Sequence, residues 1–324
     1  MQKKIVANPF HRHIAYVGLI SVIVGISQIV FAVPTLEIMS SSGTNTSSAS
    51  LNDKTNTFVF NPANPTNNIT QPYFPTTKVT YSISDNPYTG SSIDGYGLFY
   101  SANSFVALKD QGFPTNYSAY SNSFSSNRSN VGTGIDLAAN YGVRFTTTWD
   151  KLEGKSIRTS GLGHYMGEIT MRWDRPVTNP VINISGLGGR TSGNRNYPVY
   201  GVSAQFKLLS TTNISQMYEL SGSNFSVSNW EIRNTSSTLG ALIDNGGASG
   251  SVQLMTSSAI TELKFAVYMR SDSSSSERIN PSINSGADAF IFSASSIDSM
   301  VGDLEVSKTN NTTQVYSGGT TTYT

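Results

Sequence analysis

Few residues in this chain could do chemistry, and their surroundings decide what each is for. A nucleophilic serine needs a base within hydrogen-bond reach. The chain has three histidines. His11 and His13 lie within the first 32 residues, which read as a cleaved leader, and His164 sits in GLGHYMGE (Gly161–Glu168). A lone histidine among glycines reads as a loop residue, not a base. Without cysteine, it also cannot build the nitrogen–sulfur cage that zinc prefers. Paired carboxylates can run glycoside hydrolysis when held at the right separation. Glu168 and Asp174 share a parity in GEITMRWD (Gly167–Asp174), but Arg172 shares it too. The pattern therefore reads as a solvated sheet face with a local ion pair. GLGGRTSGNR lacks the Gly-Lys-Ser/Thr ending of a phosphate loop, and GLGHYMG places its third glycine one residue late for the dinucleotide fingerprint. The expectation is a protein without catalysis.

Two binding chemistries remain. Calcium takes oxygen-rich loops, and Asp94, Asp136, Asp244 and Asp288 each lie near glycines. Asp94, Asp136 and Asp288 are the calcium candidates. None fits an EF-hand loop, and a turn-forming role competes at each. Aromatic rings stack on sugar faces, and Tyr96, Phe99, Tyr100, Tyr117, Tyr120 and Tyr141 come from loop-flanked segments. Tyr96, Tyr100 and Tyr141 are the ligand-binding candidates, with core packing as the competing reading.

The elements that must position these residues are strands. GEITMRWD puts Ile169, Met171 and Trp173 on one parity and Glu168, Thr170 and Arg172 on the other. GVSAQFKLL (Gly201–Leu209) and ELKFAVYMR (Glu262–Arg270) alternate in the same way, with Tyr268 on the polar side of the second. Such alternation means strands with one face in a core and one in water. Further strands are expected at 57–60, 78–84, 97–101, 142–149, 181–185, 225–233, 251–255 and 288–295, with a single helical turn at 135–140. Ten or more strands separated by Gly/Asn/Ser/Pro loops indicate an all-β fold, an antiparallel two-sheet sandwich of jelly-roll type. Pro176 and Pro180 are expected to end the strand that carries Glu168. Ser40–Thr55 and Ser118–Gly134 read as surface loops.

The N-terminus bears Lys3, Lys4 and Arg12 and no acid, then an apolar run from Ile14 to Ala32 with Val30 and Ala32 at the −3 and −1 positions. This describes a secretory signal peptide over 1–32, cut before Val33. Removing it turns the 21 basic and 20 acidic residues into a formal charge of −2. That excludes the basic surface a nucleic-acid binder needs, and leaves the membrane a role only through export or anchoring. The absence of cysteine in an exported chain this large favours a bacterial extracellular protein folding on its core alone.

Two stretches carry a resemblance. GEITMRWDRPVTNPVINISGLGG (Gly167–Gly189), with GIDLAANYGVRF (Gly134–Phe145), GALIDNGGASGSV (Gly240–Val252) and SGADAFIFSAS (Ser285–Ser295) in the same order, resembles the N-terminal non-repeat domain of large, adhesin-like bacterial surface proteins. LEVSKTNNTTQVYSGGTTTYT (Leu304–Thr324) is similar to the opening of the tandem Ig-like "conserved repeat domain" of such proteins. The resemblance implies a head over 33–302, loosely held at 33–56, and the first strands of a truncated repeat over 303–324. It further implies a cell-surface or secreted location and adhesion to matrix, glycans or neighbouring cells. It transfers no site residues. A carbohydrate-binding module of jelly-roll type, with or without calcium, is the alternative reading. Cysteine-free stalks also raise the idea of Lys–Asn isopeptide cross-links.

Intact mass of the exported protein checks two of these expectations. The expected chain begins at Val33 and carries the unmodified mass. A start at Met1 would refute the leader, and a loss of about one ammonia mass would reveal a cross-link.

Overall fold

The computed structural model describes residues 36–41, 53–60, 71–72, 77–87, 97–110, 123–125, 135, 137–138, 140–148, 162–190, 201–235, 247–271 and 287–295. Sixteen strands are formed among them: β1 (Leu36–Ser41), β2 (Lys54–Phe60), β3 (Gln71–Pro72), β4 (Lys78–Ser84), β5 (Leu98–Ala107), β6 (Tyr141–Thr148), β7 (His164–Val177), β8 (Val181–Leu187), β9 (Gly189–Arg190), β10 (Gly201–Leu208), β11 (Ile214–Ser223), β12 (Phe225–Ser228), β13 (Glu231–Asn234), β14 (Ala248–Thr256), β15 (Ile260–Ser271) and β16 (Ala287–Ser295). A three-residue 3₁₀ turn at Leu108–Asp110 follows β5, and no α-helix occurs among the described residues.

Hydrogen bonding runs β11-β14-β8-β16-β1-β2-β4-β7-β15-β10-β13-β12, with β6 and β5 extending from β16. The strand pairs are antiparallel. The path doubles back on itself. Phe206 of β10 meets Phe290 and Phe292 of β16 edge-on, with ring centroids 5.0 and 4.8 Å apart, although these strands lie far apart along the path. One antiparallel layer (β11, β14, β8, β16, β6, β5) therefore packs on a second (β4, β7, β15, β10, β13, β12), and β1 and β2 join them. This is the expected all-β sandwich.

Alternation builds its interior. Ile169, Met171 and Trp173 of β7, Leu263, Phe265, Val267 and Met269 of β15, and Val202, Ala204, Phe206 and Leu208 of β10 all join one buried cluster. Phe145 of β6 adds contacts to Tyr100, Phe290 and Phe292 at 5.4, 5.9 and 6.1 Å. Aromatic pairs at these distances add about 0.5–1.5 kcal/mol each beyond their burial.

Several departures from the sequence reading have local causes. β11 escapes a period-two reading because register shifts between Ile214 and Gln216 and between Glu219 and Ser221 break the alternation. β1 occupies Leu36–Ser41 and β2 starts at Lys54, so strands border the stretch read as a loop; residues 42–52 lie outside the described residues. Phe225–Arg233 is not one strand. Asn229 and Trp230 take φ of 52° and 64° and fold it into the β12–β13 hairpin. Asn suits that turn, while Trp is held there with its ring against the core. β7 runs through Pro176 to Val177, and the turn falls at Asn179, whose φ is 45°. Leu137 and Ala138 form a turn where a helical one was expected.

The inward face of β2, β4 and β7 is unusually polar. Lys54 is nearly buried with its ammonium 5.3 Å from the centre of the Tyr100 ring. Asn56 is fully buried with neither amide atom hydrogen-bonded, and Tyr81 Oη and Trp173 Nε1 also lack partners. A buried polar atom without a partner costs about 1–3 kcal/mol. Asn56→Leu is therefore expected to raise unfolding stability by about 1–3 kcal/mol, whereas Phe292→Ala should lower it by about 3–5 kcal/mol. Chemical denaturation measures both, and a destabilised Asn56→Leu would show that this amide has a partner in solution.

Candidate functional site

The sequence candidates separate once the chain is folded. Tyr100 is fully buried; its ring packs on Phe145 and its hydroxyl donates to the carbonyl of Tyr81 at 2.8 Å. It is a core residue with no face open to a ligand. Tyr141 opens β6 opposite Ala107, is partly exposed, and accepts a hydrogen bond at its carbonyl from Ser293 Oγ at 2.9 Å. Tyr96, Asp94, Asp136 and Asp244 lie outside the described residues.

Asp288 is buried within the sandwich. Its Oδ1 accepts from the Gly188 N–H at 3.0 Å and its Oδ2 from the Ala204 N–H at 2.5 Å. Gly188 follows β8 in one layer and Ala204 lies on β10 in the other, so the carboxyl ties the layers together. Close packing supports the clamp: Gly188 adopts φ of 124°, and a side chain at Gly189 would strike the Ala287 carbonyl at 2.3 Å. Both oxygens face backbone donors instead of a loop open to solvent. Among the described residues no three His, Cys, Asp or Glu side chains gather as a metal group. Burial pushes the Asp288 carboxyl up to about 7, against the opposing pull of the Ala204 and Gly188 N–H groups.

The outer face of the second layer holds the remaining chemistry. Glu168 pairs with Lys264 at 3.0 Å and accepts from Ser84 Oγ at 3.1 Å. Arg172 pairs across the strands with Glu262 at 2.5 Å. Asp174 accepts from the Lys78 backbone N–H at 2.8 Å. The local ion pair expected within GEITMRWD is thus replaced by pairs between strands, because side chains opposite one another on neighbouring strands lie closer than those two apart on one strand. His164 sits beside Met269 at the start of β7, partly exposed.

Beside these pairs stand two tyrosines that sequence reasoning did not single out as ligand candidates. Tyr165 and Tyr268 are directly opposed on β7 and β15, with ring centroids 5.6 Å apart and planes at 64°. Tyr165 donates its hydroxyl to Asp85 Oδ2 at 2.5 Å, and Asp85 itself takes φ of 46° after β4. Burial, the hydrogen bond to Asp85 and the nearby Glu168 charge raise the Tyr165 phenol above its ordinary range. Burial and Glu231 raise Tyr268. Both phenols stay neutral. Gln205, next in register to Tyr268 on β10, is fully buried; its Nε2 donates to Glu231 Oε2 at 2.9 Å and its Oε1 has no donor.

The alternation of ELKFAVYMR already put Tyr268 on the polar side. Tyr165 had no such signal. Counted by twos, it belongs with Ile169 and the core, but the register shift between Val267 and Tyr268 turns it outward.

The chain matches no known protein-family model, no curated protein and no solved structure.

The Asp288 clamp generates a pH prediction. Its carboxyl keeps its proton in the folded protein to about pH 7, while in the unfolded chain it loses it near the ordinary carboxylate value. Between those two values the folded state binds more protons, so stability falls as pH rises from about 4 to about 7. Asp288→Asn should flatten that slope and lower stability overall, since its NH₂ would oppose one of the two backbone donors. Urea unfolding across that pH range measures both. An unchanged slope in the variant would refute the assignment.

Proposed function

We propose that this protein is an exported, non-catalytic bacterial cell-surface protein, whose jelly-roll-type head precedes an Ig-like repeat stalk and serves adhesion or surface architecture. The observation that carries the non-catalytic part is the engagement of the outer-face carboxylates. Glu168, Glu262 and Asp174 are each bound to a neighbouring strand by an ion pair or a backbone hydrogen bond. Groups held this way stiffen a face. They are poorly placed to trade protons with a substrate, which requires a carboxyl poised near the working pH. Asp288, whose carboxyl is so poised, is enclosed between the layers.

The adhesive part rests on the same face. A broad antiparallel surface, its charges paired and two aromatic rings standing among them, suits repeated, shallow contact with another surface. The signal-peptide pattern before Val33, the lack of cysteine and the resemblance to surface-protein head domains support an extracellular location. Matrix components, cell-surface glycans or neighbouring cells are the partners of this reading, and nucleic acid is not.

Beads coated with the full chain test it. They are expected to adhere to a cell or matrix surface while releasing no sugar or peptide from it, and Tyr165→Ala with Tyr268→Ala should reduce that adhesion. Glu168→Gln should leave adhesion within about twofold and cost about 1 kcal/mol of stability, as for a part-buried surface pair. Turnover of a polysaccharide, abolished by Glu168→Gln, would replace this reading with an enzyme.

A further inference from the structure

We propose that the outer face of the second layer binds a neutral polysaccharide, with Tyr165 and Tyr268 as its stacking platform. This rests on the adhesive reading above and names its ligand class.

Three observations converge on that class. The first is the pair of rings. They stand edge to face on adjacent strands at the surface of the sheet, and the Tyr165 hydroxyl is anchored on Asp85. Anchored phenols offer a sugar a fixed apolar surface at little cost in side-chain entropy. The second is charge. Glu168 and Arg172 are each neutralised by a partner on the next strand, so these charges form no run of one sign. A nucleic acid or an acidic glycan would need such a run; a chain of hydroxyl groups does not. The third is Gln205. Its side chain is fully buried beside Tyr268, its amide nitrogen is engaged by Glu231, and its Oε1 is left without a donor. An orphaned buried acceptor next to a ring calls for a donor, and a sugar hydroxyl supplies one while its ring lies against the phenol. Tyr268 is the in-register neighbour of Gln205, which sets this acceptor beside the proposed platform. Asp85, already accepting from Tyr165, retains lone pairs for a second hydroxyl.

The test is affinity electrophoresis of the full chain through gels containing neutral polysaccharides (β-glucan, xylan, α-glucan, galactomannan) or charged ones (pectate, heparin), with adhesion of coated beads measured in parallel. The expected result is retardation by at least one neutral polysaccharide, persisting at about 0.5 M salt, where exposed charges are screened. The Tyr165→Ala/Tyr268→Ala variant should bind roughly tenfold more weakly or worse, and Tyr268→Phe should retain binding. Should the double variant fail to melt like the parent, Tyr165→Ala alone serves. Retardation by charged polysaccharides only, or retardation lost with salt, overturns the ligand class. Neutral-glycan binding that survives loss of both rings overturns the site and leaves the adhesive function intact. Beads that still adhere through the tyrosines while every gel is silent overturn the glycan and spare the adhesive reading. Loss of both overturns both.

Discussion

The contact between Phe206 on one layer and Phe290 and Phe292 on the other is what the rest of the structure depends on. An antiparallel sheet with one apolar face is unstable alone in water, and it becomes a domain only when that face is covered. Here the covering is mutual. β10 and β16 bring their rings together in the middle of the sandwich, and Phe145 extends the cluster towards β5. Each strand beyond them adds alternate side chains to the same interior. The outer side of the first layer is itself covered: Ile291 of β16 joins Val106, Leu108, Phe124, Ile135 and Leu137 in a second buried cluster, and β8 is buried along its whole length.

That layering explains where ionisable groups sit and how they behave. On the outer face, opposed charges on adjacent strands pair at close range and hold register without desolvation. Inside, the Asp288 carboxyl at the layer junction is held by backbone donors of both layers. Burial opposes its charge more than the two N–H groups favour it, which pushes the carboxyl up to about 7. At the polar corner of Asn56, Tyr81 and Trp173, buried polar atoms are left without hydrogen-bond partners.

The tyrosine face follows from a defect in regularity. A perfectly alternating β7 would turn Tyr165 into the core beside Ile169. The bulge opposite Val267 and Tyr268 gives it to the outer face instead, opposite the ring with which it forms a pair. Bulges recur where strands must re-aim a side chain, and this one assembles an aromatic site from residues in strands about a hundred positions apart.

Alternation along β4, β7, β10 and β15 determined by itself that the chain is an antiparallel sandwich, because hydrophobic parity is a local property of the chain. It also determined, had parity been followed through Ala287-Asp288-Ala289-Phe290, that Asp288 shares a face with the core phenylalanines; proximity to Gly286 suggested a turn instead. Composition excluded cysteine-based sites, since the chain has no cysteine, and its nearly balanced charge argued against a nucleic-acid surface. Only the tertiary structure decided which strands are neighbours, and with them the Glu168–Lys264 and Arg172–Glu262 pairs, the burial of Tyr100, and the meeting of Tyr165 with Tyr268. The reason is physical. Partners across a sheet are chosen by long-range registry and by bulges that shift parity, and neither leaves a trace in the spacing of residues along one strand.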